Sequence, residues 1–392
     1  MAGNPRRRRL LAAAGDVYDP TLWSGIPYHF LQAAVCEGTL DAGLALRPPA
    51  GPTHRARRAT WNAMRALSGA GIRGYQYSES RLNLLWRDQR RALSGAVVVN
   101  MFQLYPPWLI EAEDIQKWFS VDQTLYQNFS HYGLDRLLGQ RTMREAMALE
   151  QAGYRSAAGV VTHSHWARED VVTRYGIPAH RVHVVKEAAN VDAADYLAWE
   201  QNRGSADPAD TRSRPVRLVF VGRYGIRKGL DRLLGALAIA RDRGSRIELR
   251  VIGCEPAAVP AKLRTISGVE WVGFISKQPN SRQFITAVSE CDIGCLLSRA
   301  EAAGSSVFEF HALGLAVLGT NAGGSAEQPI PEASVVVDVE ATDEEVASIL
   351  MALEANPARL RAMRNAAWER RHTVMWPSRA REIGQLLDAT DH

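Results

Sequence analysis

Short apolar runs alternate with longer helix-like stretches along almost the whole chain, and no other feature restricts the possible folds as strongly. In the first half, the apolar runs cover residues 9–14, 96–101, 117–121, 159–162 and 182–186, with helix-like stretches such as 54–67 and 141–151 between them. A second series opens with VRLVFVG at residue 216 and continues through IELRVIG, VEWVGF, CDIGCLLS and AVLGT. Strands that alternate with helices predict parallel sheets. Because 392 residues exceed one ordinary core, we predict an α/β fold of two doubly wound domains.

A polar stretch, EQNRGSADPADTRSRP, separates the two series and sets the predicted domain boundaries. It is rich in charged residues, glycine and proline, which is typical of a linker. We place a first domain at 1–195, the linker at 196–214 and a second domain at 215–372. The remaining residues, 373–392, are predicted to form a helix that packs back on the first domain.

Charge, cysteine content and hydrophobicity exclude several classes of protein. The net charge of +5 favours an anionic ligand or surface but is too small to indicate nucleic acid. The four cysteines have no C-x-x-C spacing, which indicates reduced thiols rather than disulfides or a zinc site. The apolar run after the N-terminal arginines ends at Gly15 and is too short for an export signal, and no stretch approaches a membrane-spanning length. These features predict a cytoplasmic protein.

The segment FVGRYGIRKGLDRLL joins a predicted strand to a predicted helix through a basic turn. The strand ends at Gly222, and Arg223, Arg227 and Lys228 precede the helix. The first turn of a helix leaves backbone N–H groups unpaired and carries a partial positive charge, which favours a bound anion. Two or three formal positive charges suit a diphosphate. Taken alone, the segment is described equally well as a basic loop facing solvent.

Two glutamates lie in SRAEAAGSSVFEFHALG, directly after the apolar run 293–297. Ser306 and Glu309 have the S-x-x-E spacing of a capping box at a helix start, which by itself would account for Glu309. Glu301 ends a strand, where no cap is needed, and Gly304 leaves room for a close backbone approach. A carboxylate at a strand end can accept hydrogen bonds from the vicinal hydroxyls of a ribose or hexose. With the basic turn, this pattern suits a nucleotide diphosphate joined to a sugar.

Together these motifs resemble those of the retaining GT-B glycosyltransferases, specifically glycosyltransferase family 4. The resemblance rests on the two glutamates with seven residues between them, on VGRYGIRKG before them and on TNAGGSAEQ after them. In the first half, DPTLWSGIPYHF resembles the family's first glycine loop, and FSVDQT and VVTHSHWARED resemble later segments. The resemblance covers nearly the whole chain. It implies two Rossmann-like domains facing a central cleft, with a nucleotide-sugar donor on the C-terminal domain and a hydroxyl acceptor on the N-terminal domain.

The resemblance also implies roles for individual residues. Arg223 and Lys228 would bind the donor diphosphate and stabilise the leaving phosphate. Glu301 would contact hydroxyls of the donor sugar, and Glu309 would hold those of the ribose. Five further positions would lie close to the donor, the first of them from the opposite domain: Gly25, Gly222, Gly304, Ser305 and Ser306.

The implied chemistry needs neither a protein nucleophile nor a metal ion. The leaving phosphate oxygen can accept the acceptor's proton on the same face of the sugar, so that the anomeric configuration is retained. The sequence contains no D-x-D motif, which argues against a metal-bridged diphosphate. No cofactor is expected beyond the nucleotide sugar, which is a substrate.

Several positions are weaker site candidates. His131 in NFSHYG is one histidine that could face the donor sugar, and His29 and His163 are alternatives. Lone histidines are more often hydrogen-bonded structural residues. Asp122 follows a strand, where it would either line the cleft or cap the next helix. Ser305 replaces an aliphatic residue that is usual in the family, which leaves the donor sugar undefined.

The segment from Arg47 to Gly95 carries ten arginines against two acidic residues, and Trp61 and Trp86 lie among them. A basic surface with aromatic residues can lie on an anionic membrane or receive a lipid-linked acceptor. The favoured alternative is a solvated helix face whose arginine stems cover the core. Peripheral membrane contact is therefore a hypothesis for this segment.

Two other functions fit parts of the sequence. An NAD-type dinucleotide-binding oxidoreductase would also have doubly wound domains, but the G-x-G-x-x-G fingerprint follows neither first strand. A catalytically degenerate protein that binds sugar nucleotides would keep the binding motifs without turnover, and Ser305 is the single hint of it.

Overall fold

The computed structural model describes residues 6–47, 51–67, 73–203, 214–278 and 280–390. The chain divides into two compact units, of which the first comprises Met1–Lys186 and Arg379–His392 and the second comprises Glu187–Ser378. Each unit is built around one parallel sheet. The domain boundaries inferred from the sequence stay predictions.

The first unit contains a six-stranded sheet with the order β2-β1-β3-β4-β5-β6, in which all pairs are parallel. Its strands are β1 (Arg9–Ala12), β2 (Ala42–Gly43), β3 (Val97–Asn100), β4 (Gln116–Val121), β5 (Gly159–Thr162) and β6 (Val182–Val184). Its helices are α1 (Ile26–Cys36), α2 (Pro52–Leu67), α3 (Glu79–Trp86), α4 (Arg90–Leu93), α5 (Pro107–Ile110), α6 (Leu125–His131), α7 (Gln140–Ser156) and α8 (His165–Thr173). Every residue of β1, β3 and β5 is buried, as expected where helices cover both faces of a sheet.

The second unit contains another parallel six-stranded sheet, with the order β12-β11-β10-β7-β8-β9. Its strands are β7 (Arg217–Val221), β8 (Glu248–Ile252), β9 (Val269–Gly273), β10 (Ile293–Leu296), β11 (Ala316–Thr320) and β12 (Ser334–Val337). The remaining helices are α9 (Ala193–Arg203), α10 (Leu230–Asp242), α11 (Arg282–Ser289), α12 (Ser305–Ala312), α13 (Asp343–Glu354), α14 (Pro357–Arg370) and α15 (Trp376–Asp388). The strand order reverses between β7 and β10, and in such sheets ligands bind at the carboxyl ends of the strands beside the reversal.

The prediction of two doubly wound α/β domains is confirmed, since each apolar run named from the sequence overlaps a strand of one of these sheets. Residues 196–203 of the predicted linker belong to α9. Tyr196 of this helix is 2% exposed, and its hydroxyl donates to the carbonyl oxygen of Ala312 at 3.1 Å. Aromatic burial of this kind stabilises a helix despite the polar residues around it. The rest of the predicted linker, 204–213, lies outside the described residues.

The C-terminal helix α15 begins in the second unit, and its residues from Arg379 onward belong to the first. In the first unit, Asp388 forms an ion pair with Arg9 at 2.7 Å. The hydroxyl of Thr39 donates to the carbonyl oxygen of Ala380 at 2.9 Å. These contacts attach the end of the chain beside β1.

Candidate active site

Two glycines shape the turn that follows β7. Gly222 comes directly after the strand, and a Cβ atom there would lie 2.5 Å from Cδ of Lys228. Gly229 has a φ of +75°, and a Cβ atom there would lie 1.9 Å from the carbonyl oxygen of Leu297. The first glycine therefore leaves room for the lysine side chain, and the second lets the turn close against the end of β10.

A buried carboxylate and two cations meet where this turn reaches the segment after β10. Oε2 of Glu301 lies 3.2 Å from Nη1 of Arg227 and 3.2 Å from Nζ of Lys228. The hydroxyl of Ser298 donates to the same oxygen at 3.4 Å. Burial by itself raises the pKa of the Glu301 carboxyl, but attraction to Lys228 and Arg227 outweighs it and holds this pKa below its ordinary value. Glu301 is therefore ionised at neutral pH and orders both cations.

The contacts of the three cations in this turn differ from those predicted from the sequence. Arg227, which was not among the predicted site residues, also donates to the carbonyl oxygen of Ala300 at 2.7 Å. Arg223, which was predicted, is exposed and has its guanidinium 4.5 Å from the ring centre of Phe274. The signal for Arg227 was its place beside Lys228 in the same turn. Which arginine faces the carboxylate depends on how the turn folds.

Helix α12 begins one residue after a left-handed glycine. Gly304 has a φ of +83°, and a Cβ atom there would lie 2.8 Å from Cδ2 of Leu296. The helix therefore starts at Ser305, and no side chain caps it. The predicted capping box of Ser306 and Glu309 is wrong, because both residues lie inside the helix. The hydroxyl of Ser306 is buried and has no hydrogen-bond partner among the described residues.

Glu309 contacts a lysine that the sequence analysis did not find. Glu309 is 1% exposed, and its Oε1 contacts Nζ of Lys277. The same Nζ lies 4.4 Å from the ring centre of Phe284. No sequence spacing connects the two charged residues, because Lys277 belongs to the loop after β9 and reaches Glu309 only through the fold. Near them, the hydroxyl of Ser305 donates to Glu187 at 3.3 Å.

In the first unit, Gly25 lies in a left-handed run that precedes α1. Gly25 has a φ of +88°, and its neighbours Trp23 and Ser24 have φ values of +46° and +60°. A Cβ atom at Gly25 would lie 3.0 Å from Cδ2 of His29 and 3.1 Å from the carbonyl oxygen of Pro20. Left-handed conformations cost non-glycine residues energy and recur at functional loops. This loop is therefore a tightly specified turn in the connection between β1 and α1.

The weaker candidates of the first unit lie around α6. Asp122 directly follows β4, but Thr124 caps α6 and forms a capping box with Gln127. The interpretation of Asp122 as a helix cap is therefore wrong. His131 is the last residue of α6, and its ring centre lies 5.2 Å from that of Trp166. Whether either residue contacts a ligand stays a prediction.

His163, another histidine considered from the sequence, forms a structural contact. Nε2 of His163 lies 3.1 Å from the hydroxyl of Ser120 in the buried interior of the first unit. Across the described ranges, no group of three or more His, Cys, Asp or Glu side chains is placed to hold a metal ion. Within the same ranges, no helix combines the length and hydropathy needed to cross a membrane.

The basic segment from 47 to 95 divides between core and surface, and its parts 48–50 and 68–72 lie outside the described residues. Trp86 is 1% exposed and packs in the core, so it is unavailable as a membrane anchor. Some arginines have acidic partners within the first unit: Arg47 pairs with Asp16 at 2.7 Å. Among the described residues, the arginines of this segment that form no ion pair lie on α2, in and just before α3, and on α4.

The two parallel sheets have the architecture of a GT-B fold, and charged residues lie at the carboxyl edge of the second sheet. Residues 206–370 match the model of the family described as Glycosyl transferases group 1. The match lies within the second unit, and this similarity agrees with the resemblance inferred from the sequence. The narrower assignments, to family 4 and to the retaining class, stay predictions.

One curated relative and several solved structures are similar to this chain. The D-inositol 3-phosphate glycosyltransferase of Rhodococcus opacus (strain B4) is 28% identical over 222 residues, which cover 53% of this chain and 48% of that protein. The chain thus matches about half the length of that relative.

Sucrose-phosphate synthase from Thermosynechococcus elongatus superposes with a TM-score of 0.68 at 17% identity, over 98% of this chain and 99% of that one. WaaG, a glycosyltransferase involved in lipopolysaccharide biosynthesis, has a TM-score of 0.63 at 16% identity, over 96% and 99% of the two chains. Anabaena HepE in complex with UDP-glucose has a TM-score of 0.61 at 14% identity, over 97% and 99%. At these identities the structures establish the fold.

Proposed function

We propose that this protein is a retaining glycosyltransferase that moves a sugar from a nucleoside diphosphate to a hydroxyl acceptor without a metal ion. The observation that carries the proposal is the group formed by Glu301, Arg227 and Lys228 beside the strand reversal of the second sheet. The group 1 match covers this part of the chain, and a structural neighbour was crystallised with UDP-glucose. Two cations held by one carboxylate leave a net positive charge, which suits a diphosphate.

The proposed roles follow from the contacts within the second unit. Lys228 and Arg227 bind the diphosphate oxygens, with Arg223 in the same turn as a further cation. The unpaired hydroxyl of Ser306 and the first N–H groups of α12 supply neutral donors to phosphate. Glu301 accepts hydrogen bonds from the donor sugar. The ribose hydroxyls bind Glu309, whose charge is balanced by Lys277.

The proposed chemistry forms one bond and breaks one bond on the same face of the sugar. The acceptor oxygen attacks the anomeric carbon as the bond from that carbon to the phosphate oxygen breaks. The acceptor's proton passes to the departing phosphate, whose growing negative charge is stabilised by Lys228 and the arginines. Because attack and departure share one face, the anomeric configuration is retained.

A donor screen tests this function without knowledge of the acceptor. Purified protein is incubated with UDP-, GDP- and ADP-sugars, and slow hydrolysis of the donor is measured with and without EDTA. We expect one donor class to be hydrolysed in EDTA, and Lys228→Ala to lower kcat by about a hundredfold or more. Lys262→Ala, which removes an exposed lysine of the same unit, is the matched control.

The outcomes separate the alternatives. Tight nucleotide binding without any turnover would indicate a degenerate binding protein, and thermal stabilisation by NAD alone would indicate an oxidoreductase. Activity that is abolished by EDTA and restored by manganese would contradict the metal-free chemistry. Once an acceptor is known, an inverted product in NMR coupling constants would contradict retention.

A cytoplasmic location with peripheral membrane contact is a further part of the proposal. It rests on the exposed arginines of α2, such as Arg55 and Arg57, rather than on the tryptophans. Basic residues near an anionic surface each contribute about 1 kcal/mol of attraction. Flotation with anionic and neutral liposomes at physiological salt tests it, and equal recovery with both lipids would contradict it.

A further inference from the structure

The first unit contains a cavity of about 480 Å³ that the proposed function does not use. Its wall is formed by α2, by the residues just before α3 and by a leucine-rich turn after α6. The polar lining includes His54, Arg58, Arg73, Tyr75 and Arg81. The volume is in the range of cavities that hold small molecules.

The charge of the cavity lining is entirely positive. Arg58, Arg73 and Arg81 line it, and no aspartate or glutamate of the described residues does. None of the three arginines forms an ion pair with a residue in the described part of the chain. By contrast, Arg65 on the same helix as Arg58 pairs with Glu145 at 2.7 Å. Three cations around one cavity repel one another, and an anion would remove this repulsion.

Buried polar atoms that lack partners point to a ligand independently of the charge. Tyr75 is 5% exposed, and its hydroxyl has no hydrogen-bond partner among the described residues. Nη1 of Arg81 is likewise buried and unpartnered. Burial lowers the pKa of the Arg81 guanidinium, an effect that Tyr75 only partly offsets. Buried donors are nearly always paired in folded proteins, so two unpaired donors in one cavity wall require an explanation.

The position of Tyr75 is set by the packing around it. Its ring centre lies 5.8 Å from that of His54 and 5.6 Å from that of Trp61, both on α2. The preceding Gly74 has a φ of +101°, and a Cβ atom there would lie 2.6 Å from Cγ2 of Thr142. The close approach of Gly74 to α7 and the two rings hold the tyrosine in the wall. The position of its hydroxyl is therefore fixed by packing.

We propose that this cavity binds the phosphoryl group of a small molecule or lipid headgroup, with Arg81 and Tyr75 as direct ligands. A phosphate dianion offers several oxygens to several donors, and arginine binds it in bidentate geometry. Leu134, Leu137 and Leu138 line another part of the cavity and contact the less polar part of the ligand. The site lies wholly within the first unit, and the proposal does not depend on the donor site of the second.

Calorimetry on the full chain tests the proposal with inorganic phosphate, pyrophosphate and glycerol 3-phosphate at constant ionic strength. We expect saturable binding of at least one of them. Arg81→Gln should weaken it by about tenfold or more, and Tyr75→Phe by about three- to tenfold, through loss of charge-assisted hydrogen bonds. Tyr75→Phe removes one oxygen and preserves the ring, so it serves as the test if Arg81→Gln does not fold.

The matched control is Arg155→Gln, which removes the same charge at an exposed position of the first unit outside the cavity lining. It should leave the affinity unchanged within about twofold. Vesicles of phosphatidic acid in phosphatidylcholine distinguish the lipid source, since binding that depends on Arg81 but not on Arg155 would support a headgroup ligand. Equal losses in both arginine variants, or no binding of any soluble phosphate or vesicle, would overturn the proposal.

Discussion

Replacing Glu301 by glutamine keeps the shape of the side chain but removes the negative charge that Arg227 and Lys228 share. Each cation lies 3.2 Å from the same carboxylate oxygen. At this distance the attraction is about 5 kcal/mol per pair at an effective dielectric constant of about 20, and about 1 kcal/mol in water. The side chains of Arg227 and Lys228 are 28% and 15% exposed, so solvent screens part of it. Burying the three charged groups costs desolvation energy, which offsets part of this attraction. We therefore expect Glu301→Gln to lower the free energy of unfolding by about 1–3 kcal/mol at pH 7.

The dependence on pH provides a second and more specific readout. The pKa of Glu301 is lowered in the folded protein from an ordinary value of 4.5. The stabilisation by its charge is therefore fully present above about pH 4.5 and is lost as the pH falls through the lower pKa of the folded state. Urea unfolding of both proteins between pH 3 and pH 7 measures this. The difference between them should be largest at neutral pH and should shrink in acid.

A matched control comes from an exposed ion pair in the same unit. Glu332 contacts Arg370 at 2.8 Å, and both side chains are about half exposed. Glu332→Gln should therefore change the free energy of unfolding by less than about 1 kcal/mol. Equal effects of the two substitutions, or a difference for Glu301→Gln that persists at pH 3, would refute the argument from the buried cluster.

The same substitution has a consequence for ligand binding if the proposed function is correct. With Glu301 neutral, both cations are free to interact with phosphate. We therefore expect calorimetry to show several-fold tighter binding of the nucleoside diphosphate product, while donor hydrolysis falls because the sugar loses an acceptor of its hydrogen bonds. Weaker binding of the diphosphate would show that Glu301 does not compete with it for the cations.

Three further predictions concern residues around these sites. Gly222→Ala places a methyl group 2.5 Å from Cδ of Lys228. The flexible lysine side chain can move aside, so the melting temperature should change little. Because the lysine then loses its position for catalysis, donor hydrolysis should fall about tenfold or more. Glu309→Gln should cost about 1–3 kcal/mol in urea unfolding, because it leaves Lys277 without its buried partner, and adding Lys277→Met should recover part of the loss. Glu150 is buried, which raises its pKa to about 8 from 4.5, so its contribution to stability is complete below about pH 4.5 and is lost as the pH rises through 8. Between these values, the free energy of unfolding of the unsubstituted protein should fall by up to about 1.4 kcal/mol per pH unit because of Glu150, and Glu150→Gln should abolish this fall.

Each of these predictions has an outcome that contradicts it. Gly319→Ala is the control for Gly222→Ala, because its added Cβ atom would make only ordinary contacts of 3.7 and 3.9 Å. Similar loss of hydrolysis in both variants would argue against a specific effect on the lysine. Additive losses in the variants of Glu309 and Lys277 would show that the two charges are not coupled. An unchanged pH profile in Glu150→Gln would show that this carboxyl is ionised throughout the range.

The alternation of apolar runs with helical stretches was sufficient to predict both parallel sheets. Strand and helix periodicity are local properties, so they can be read from neighbouring residues without knowledge of the fold. The glycines of the turn after β7 and the charges near them are local signals of the same kind. They favour an anion site at the end of β7, and this site stays a prediction.

Contacts between distant residues depended on the tertiary structure. Glu301 meets Arg227 across 74 residues of sequence, and Glu309 meets Lys277 across 32. Local spacing favoured a capping box for Glu309, but the left-handed turn at Gly304 starts the helix earlier and leaves the carboxylate to a lysine from another loop. Charge and residue type identify which groups need partners. The order of the strands determines which partners lie within reach, because residues far apart in sequence meet only where the sheet brings their loops to one edge.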